Sequence, residues 1–242
     1  MKKFLQSLIS LFGYNIIKSK NFRKINRTLD RAIKSIIKKE NPIIFDIGAH
    51  EGESIKRFKN LFKNPIIHSF EPQLQTFKVL ENRNKNDANV FLNNFGLGSI
   101  KEKREIFVNS DTATSSYLNI DNKNNFFRSV NTNRKEQTKI DTFDNYFDDL
   151  KIDLIDFVKI DVQGFEEDVL TGAVKSLDNV QLIEVEIVFV DLYEKSSSFY
   201  KIEEILNKHN FKLFSLSSIS LNSYDDRIKN LDALYYNTNI NN

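Results

Sequence analysis

The sequence predicts an α/β fold with a mostly parallel, seven-stranded sheet that is covered by helices on both faces. The first observation is a set of short, continuous apolar runs, of which residues 43–47 are the clearest, and such runs are typical of strands buried on both faces of a parallel sheet. These runs alternate with segments of helical periodicity, and this order implies right-handed crossovers. The length of 242 residues allows one substantial α/β core and a small appendage.

Residues 1–40 are expected to form a helical segment that precedes a single core domain at residues 41–242. The apolar residues near the start are spaced for one helical face, which would pack on the domain or on a second subunit, so that a homo-oligomer is left open. The alternative is peripheral membrane contact through residues 1–20, which carry several lysines. Polar residues interrupt the apolar run, so we expect neither a signal peptide nor a transmembrane segment.

The elements then follow in order along the chain. The spacing of the apolar residues at 29, 33, 36 and 37 predicts a helix over residues 29–37. This helix ends at Asn41-Pro42, because the residue before a proline is pushed out of the helical region. The core strands are predicted at residues 43–47, 65–70, 90–92, 155–160, 180–188, 211–216 and 232–236. The remaining helices are predicted at residues 54–62, from Pro72 through Leu80, at 166–177 and around 202–206, and Asn210 is suited to a left-handed cap.

Residues 101–149 break this pattern and are expected to form an inserted region on the substrate side of the domain. The segment is rich in Asn and Ser, and only residues 106–108 and 138–140 have the composition of strands. We expect this region to determine which acceptor is bound.

The composition excludes several classes of function. The 35 basic and 33 acidic residues leave a net charge of +2, so no strong electrostatic field points to a nucleic-acid partner. The chain has no cysteine, which rules out disulfides, thiolate metal sites and thiol nucleophiles, and a reducing cytoplasm fits this composition. No group of His, Asp and Glu has the spacing of a metal site, and we predict no metal.

The predicted site lies where three parallel strands end. Asp46, Glu71 and Asp161 each stand at the carboxyl end of a predicted strand, and ligands of open parallel sheets bind beyond those ends. Glu71, at the tip of the second strand, is placed to accept hydrogen bonds from both hydroxyls of a ribose.

The loop after the first strand favours S-adenosylmethionine as the ligand. Gly48 and Gly52 permit a tight turn, but their spacing differs from the Gly-x-Gly-x-x-Gly pattern of dinucleotide-binding loops. A carboxylate such as Asp46 would repel a pyrophosphate, whereas it can orient the ammonium group of a methionine moiety. A nicotinamide-dependent oxidoreductase is therefore the weaker alternative.

Five separated blocks between residues 42 and 236 resemble the FkbM family of S-adenosylmethionine-dependent methyltransferases. The blocks are Asp46-Ile-Gly-Ala-His-Glu-Gly52, Ser69-Phe-Glu-Pro72, Asn94-Phe-Gly-Leu-Gly98, Ile140-Asp-Thr-Phe-Asp144 and Phe157-Val-Lys-Ile-Asp-Val-Gln-Gly164. The resemblance implies a Rossmann-like class I methyltransferase fold and S-adenosylmethionine as cofactor. The cofactor-binding residues that it suggests, together with the loop argument, are Asp46, Gly48, Ala49, His50, Gly52, Glu71, Pro72 and Asn94.

Two residues depart from the family pattern. His50 replaces an Asn, and an imidazole can still donate or accept one hydrogen bond near the methionine moiety. Gln163 replaces a Glu and removes a charge. If that Glu served as base or metal ligand, the chain could be a non-catalytic adaptor that retains the fold; if it only held the loop, glutamine could serve.

Asp161 is the first candidate for orienting or deprotonating an acceptor hydroxyl, although it could equally cap the following turn. Glu186 is the second candidate, because it is nearer the carboxyl end of the fifth strand than Glu184. Ser115, Ser116 and Gln163 are expected on the substrate side. The predicted function is O-methylation of a hydroxyl on a sugar, glycan or related metabolite, with a small-molecule or carbohydrate acceptor as partner.

Overall fold

The computed structural model describes residues 29–121, 130–221 and 226–240. Six helices are described: α1 (Leu29–Ile36), α2 (Glu53–Leu61), α3 (Leu74–Asn84), α4 (Phe143–Leu150), α5 (Glu166–Thr171) and α6 (Phe199–Lys208). The strands are β1 (Ile43–Ile47), β2 (Ile66–Phe70), β3 (Val90–Asn93), β4 (Gly96–Leu97), β5 (Glu102–Asn109), β6 (Thr132–Asp141), β7 (Phe157–Ile160), β8 (Leu182–Val188), β9 (Phe211–Leu216), β10 (Ser220–Leu221) and β11 (Ile228–Asn237). The N-terminal amphipathic segment lies outside the described residues.

The central sheet has the predicted α/β character. Its order is β10-β11-β8-β7-β1-β2-β3, and β9 also pairs with β11. Strands β3, β2, β1, β7 and β8 are mutually parallel, whereas β11 runs antiparallel to β8. Strands β9 and β10 both pair with the edge of β11 that does not face β8, β10 with its first residues and β9 with its later residues. The eight strands therefore occupy seven positions across the sheet. The prediction of a mostly parallel sheet is confirmed, with β11 as the antiparallel exception.

The apolar strands are buried on both faces, as their composition predicts. On one face, Phe45 of β1 packs in a core with Phe143 of α4, Val169 of α5 and Leu206 of α6. On the other face, Ile44 belongs to a second core that also holds residues of α1, α2 and α3, namely Ile33, Phe58 and Leu80. Successive residues of β1 thus face opposite helical layers, which places the ends of β1 and β7 between them.

A smaller sheet contains the two long strands of the predicted insertion. Strand β6 pairs antiparallel with β5 and parallel with β4, and both long strands extend well beyond the residues predicted. Helix α4 also falls within residues 101–149, but its first residue, Phe143, packs in the core of the central sheet.

Two predicted helices differ from the structure in their limits. The helix expected at residues 166–177 ends at Thr171, with Gly172 as its C-cap, and Gly172 packs so closely against the backbone of Gly98 that a side chain would overlap it. A short 3₁₀ turn follows at Leu177–Asn179. Helix α3 begins at Leu74 with Gln73 as its N-cap, so Pro72 precedes the helix instead of opening it. No helix in the described ranges is both long and apolar enough to span a bilayer.

Candidate active site

Two adjoining openings lie at the carboxyl ends of β1, β2 and β7. The first, called here the enclosed cavity, has a volume of about 560 Å³ and an inner surface that is largely apolar, although polar residues such as Glu71, Gln73 and Asp161 also line it. The second, called here the open cleft, has a volume of about 1080 Å³ and is lined mostly by polar and charged side chains. The residues that line both are Gly48, His50, Ala113, Asp161 and Gln163.

The loop after β1 brings the backbone close to β2 and β7. Gly48 has a φ of 84°, and a Cβ at this position would overlap the carbonyl oxygen of Asp161. The N–H groups of Gly48 and Ala49 both donate to the carbonyl oxygen of Phe70, at 3.1 and 3.0 Å. Gly48 is therefore required at this turn for both its backbone conformation and its lack of a side chain.

Asp46 lies beneath this loop and lines neither opening. Its side chain is fully buried, and Oδ2 accepts a hydrogen bond of 2.5 Å from the hydroxyl of Ser54 in α2. Oδ1 has no partner among the described residues. Burial raises the pKa of Asp46, and the nearby Lys159 ammonium opposes that rise. The other loop residue behind the wall is Gly52, which lies at the N-cap of α2 with a φ of 99°.

Glu71 presents a buried carboxylate to the enclosed cavity. The backbone N–H groups of His50 and Gln73 donate to its two oxygens, at 3.1 and 2.8 Å. Burial raises the pKa of Glu71 to about 7. Asn94 stands behind this wall, where its amide donates to the carbonyl oxygens of Glu71 and Pro72.

Asp161 lies at the junction of the two openings, and 34% of its side chain is exposed. Lys159 Nζ donates to Oδ2 at 3.0 Å, and Gln163 Nε2 donates to Oδ1 at 2.9 Å. Burial alone would raise the pKa of Asp161, but the Lys159 ammonium and the Gln163 amide outweigh it and the pKa is lowered. Asp161 is therefore ionised at neutral pH.

Glu186 lies behind Gln163 and lines neither opening. Gln163 Nε2 lies 3.2 Å from Glu186 Oε2, and Asn230 Nδ2 donates to Oε1 at 2.5 Å. Burial, together with the charge of Asp161, raises the pKa of Glu186 to about 8. The neighbouring Glu184 forms a bidentate pair with Arg57.

The segment after β5 covers the openings. Ser115 and Ser116 both line the enclosed cavity, and the hydroxyl of Ser116 donates to the carbonyl oxygen of Gln163 at 2.7 Å. The ring of His50 lies 3.0 Å from the hydroxyl of Thr112 in the same segment. The insertion thus closes over the ends of the core strands.

Sequence reasoning missed several residues that line the openings. Gln73 is almost fully buried, and its Nε2 has no partner among the described residues. Tyr117 forms a wall of the enclosed cavity and bonds through its hydroxyl to Thr138. Gln73 could have been found because it directly follows the Glu71-Pro72 pair, whereas nothing in the sequence around Tyr117 points to the cavity.

The site offers two kinds of chemistry. An enclosed, largely apolar cavity with one buried carboxylate suits a nucleoside whose ribose hydroxyls donate to that carboxylate. An ionised carboxylate at the edge of a polar cleft suits a hydroxyl group that must lose a proton. Within the residues that the structure describes, no group of three or more His, Asp or Glu side chains is arranged to hold a metal ion.

Two solved structures share the fold. A putative rRNA-methylase from Clostridium thermocellum aligns with a TM-score of 0.52 over 92% of this chain and 97% of that chain, at 11% identity. A putative S-adenosylmethionine dependent methyltransferase from Listeria monocytogenes aligns with a TM-score of 0.50 over 86% of this chain and 96% of that chain, at 7% identity. The fold is that of class I S-adenosylmethionine-dependent methyltransferases.

The sequence comparisons identify the family. A 2-O-methyltransferase, NoeI, from Sinorhizobium fredii (strain NBRC 101917 / NGR234) is 24% identical over 206 residues, which cover 78% of this chain and 79% of that protein. The family profile described as "Methyltransferase FkbM domain" matches residues 46–213. This match decides against the nicotinamide-dependent alternative: the chain belongs to the FkbM family of S-adenosylmethionine-dependent methyltransferases.

Proposed function

We propose that the chain is an O-methyltransferase that acts on a hydroxyl of a sugar, glycan or related metabolite. The observation that carries the proposal is the ionised carboxylate of Asp161 at the junction of the enclosed cavity and the open cleft. A relative named as a 2-O-methyltransferase supports an oxygen acceptor. The acceptor is accordingly a small molecule or carbohydrate, and nucleic acid is not expected.

The enclosed cavity suits the adenosine part of S-adenosylmethionine. Glu71 would accept hydrogen bonds from the ribose hydroxyls. The apolar side chains of Pro72 and Leu97 line the same cavity and would lie beside the nucleoside. Gly48, Ala49 and His50 would hold the methionine part where the two openings meet. When bound, the cofactor supplies an electrophilic methyl group on a sulfonium sulfur.

The residues of the chain would then orient the acceptor and remove its proton. Asp161 would accept a hydrogen bond from the acceptor hydroxyl and take its proton as the methyl group leaves the sulfonium sulfur and bonds to the oxygen. Lys159 and Gln163 each hold one oxygen of Asp161, so the carboxylate is fixed before the acceptor arrives. The segment around Ser115 and Ser116 covers the cavity, where it would exclude water.

The other expectations from the sequence stand as proposals as well. Membrane contact through residues 1–20 and packing of that segment on a second subunit both concern residues outside the described ranges. A cytoplasmic location rests on the absence of cysteine from the sequence.

The direct test is incubation of the full chain with methyl-labelled S-adenosylmethionine and a panel of free sugars, oligosaccharides and total RNA. We expect label in a carbohydrate fraction and none in RNA. Asp161→Asn should bind S-adenosylmethionine normally in calorimetry but transfer methyl groups about 10²- to 10⁴-fold more slowly, as expected for loss of a general base.

Asp148→Asn, on the exposed surface of α4, is the control and should leave transfer unchanged. Absence of heat with S-adenosylmethionine would contradict the cofactor assignment. Unchanged transfer by Asp161→Asn would contradict the role given to Asp161. Cofactor binding without transfer to any fraction would favour the adaptor alternative.

A further inference from the structure

Gln163 joins the two carboxylates at the floor of the site. Its Nε2 donates to Asp161 Oδ1 at 2.9 Å and lies 3.2 Å from Glu186 Oε2, while its Oε1 lies 2.9 Å from the hydroxyl of Tyr193. We propose that Gln163 is a positioning residue, which fixes the Asp161 carboxylate toward the acceptor, and that Glu186 anchors this amide instead of acting as a base. The proposal rests on the proposed function and assigns roles within the same site.

The surroundings allow only one orientation of the amide group. The ionised carboxylate of Asp161 requires a donor, which Nε2 supplies, and Oε1 then faces the Tyr193 hydroxyl, which donates to it. The backbone of Gln163 is fixed too, with a φ of 56° and a carbonyl oxygen that accepts from Ser116. The side chain is thus held at both ends.

Glu186 has the contacts of an anchor. It lines neither opening, and both of its oxygens face amide donors, from Gln163 and Asn230. An acceptor in the open cleft meets Asp161 and Gln163 before it meets Glu186. Glu186 lies nearer the carboxyl end of β8 than Glu184 does, as the sequence indicated, but the Gln163 side chain separates it from the open cleft.

The charged and titratable groups around Asp161 and Glu186 favour an amide, as in Gln163, over a third carboxylate at position 163. Lys159 is the cation in contact with Asp161, whereas several acids surround Glu186 and Asp161. The groups that act on the two carboxylates are Lys159, His50, Glu166 and Asp232. A carboxylate at position 163 would add a like charge beside Asp161 and would disfavour its ionised form.

The test uses the full chain labelled with ¹³C at the aspartate carboxyl carbons. Asp161→Asn identifies the resonance of Asp161, and its titration is then followed in wild type, Gln163→Glu and Tyr193→Phe. We expect the midpoint of Asp161 to rise by about one pH unit in Gln163→Glu, because a like charge replaces a donor. We expect a smaller rise in Tyr193→Phe, which removes the hydroxyl that donates to Oε1 and so holds the amide less firmly against Asp161.

Tyr235→Phe is the matched control, because it removes a buried hydroxyl that bonds to Glu203 away from the site. It should leave the Asp161 midpoint unchanged. Calorimetry with S-adenosylhomocysteine should give a Kd within about threefold of wild type for Gln163→Glu, which separates positioning from collapse of the cofactor site. For the acceptor found in the labelling screen, kcat should fall about tenfold in Tyr193→Phe with little change in KM.

An Asp161 midpoint that is the same in wild type, Gln163→Glu and Tyr193→Phe would overturn the proposal. The titration needs neither cofactor nor acceptor, so its outcome is independent of the proposed function. Failure of wild type to bind S-adenosylhomocysteine would instead contradict the proposed function.

Discussion

At the scale of single residues, Glu71 has the clearest contact geometry for a ligand. Two backbone N–H groups fix its carboxylate, and each oxygen retains a second lone pair for a hydroxyl donor. In Glu71→Gln, an NH₂ group would face one of those N–H groups and the charge would be lost. A charged hydrogen bond contributes about 1.5–3 kcal/mol, so we expect S-adenosylmethionine to bind about 10- to 100-fold more weakly in calorimetry.

Glu105→Gln is the control for this variant, because Glu105 is exposed on β5 and pairs with Lys135 on the surface. It should bind the cofactor as wild type does. Equal affinities for wild type and Glu71→Gln would show that the ribose does not contact this carboxylate.

The residues at strand ends were the predictable part of the site. Gly48, Glu71 and Asp161 line the openings because the carboxyl ends of parallel strands meet at one edge of a sheet, and the chain order alone gives that edge. Asp46 and Glu186 lie behind the lining residues instead. The alternation of side chains along a strand predicts toward which face of the sheet a side chain points, but it does not predict which other residues will cover that side chain. Whether these two residues or Asn94 touch a ligand remains a prediction.

At the scale of elements, Arg57 ties helix α2 to the sheet and to α1. Its guanidinium pairs with the buried carboxylate of Glu184 at 2.6 and 2.8 Å and with Asp30 at 2.7 Å. In Arg57→Met, Glu184 would be left buried without this partner. Because 26% of the Arg57 side chain is exposed, we expect a loss near the lower end of the range for broken buried pairs, about 3 kcal/mol in urea unfolding.

A second substitution, at Glu184, distinguishes the effect of an unpaired buried charge from the effect of lost side-chain packing. Arg57→Met combined with Glu184→Met should recover much of the loss, because no buried charge then remains unpaired. Lys208→Met breaks an exposed pair with Glu204 in α6 and should leave the unfolding free energy unchanged within error. A double variant as unstable as Arg57→Met would show that packing, not charge, explains the effect.

Elements buried on both faces were predicted well, and elements of the insertion were not. Strands β1, β2 and β7 are rich in apolar residues and are buried along most of their length, so their composition alone indicates buried strands. Strand β6 is mostly exposed and polar, so its sequence has little hydrophobic pattern, and its pairing with β5 defines it instead. Helix α4 lies among Asn and Asp residues that also suit a loop, and its burial depends on contacts with distant strands.

At the scale of the whole molecule, the enclosed cavity exists because two sheets meet. The ends of β1 and β2 supply one side, while the small sheet supplies Ile106 and the segment after β5 supplies Tyr117 on the other. No local pattern can predict such a cavity, because its walls are far apart in the sequence. The strand ends located the site, whereas its enclosure comes only from the packing of the insertion.

The near-zero net charge of the molecule conceals an excess of buried acids at this site. Burial raises the pKa of Asp232 to about 6, the pKa values of Glu71 and Glu166 to about 7 and the pKa of Glu186 to about 8. In each case the folded state holds its proton to a higher pH than the unfolded chain does. Stability should therefore fall as the pH rises from about 6 to about 8.

His68 acts in the opposite direction, because burial lowers the pKa of its ring to about 4. The buried neutral ring lowers the folding stability only where the histidine of the unfolded chain is protonated, which is below its ordinary pKa of about 6.5. His68 therefore changes the stability little between about pH 6 and about pH 8. Four acids against one histidine leave a net loss of stability with rising pH. Without ligand, we expect scanning calorimetry at constant ionic strength to give a Tm several degrees higher at about pH 6 than at about pH 8.

Glu166→Gln provides the check on this account, since Glu166 is 1% exposed and accepts hydrogen bonds from the backbone N–H groups of Val162 and Gly164. An amide cannot ionise, so the variant loses one of the four acids and its Tm should vary less between the two pH values. A wild-type Tm that is equal or higher at about pH 8 would mean that the buried carboxylates are paired better than their surroundings suggest. S-adenosylmethionine, whose sulfonium and ammonium groups are cationic, should raise the Tm more at the higher pH, where the acids around it are ionised.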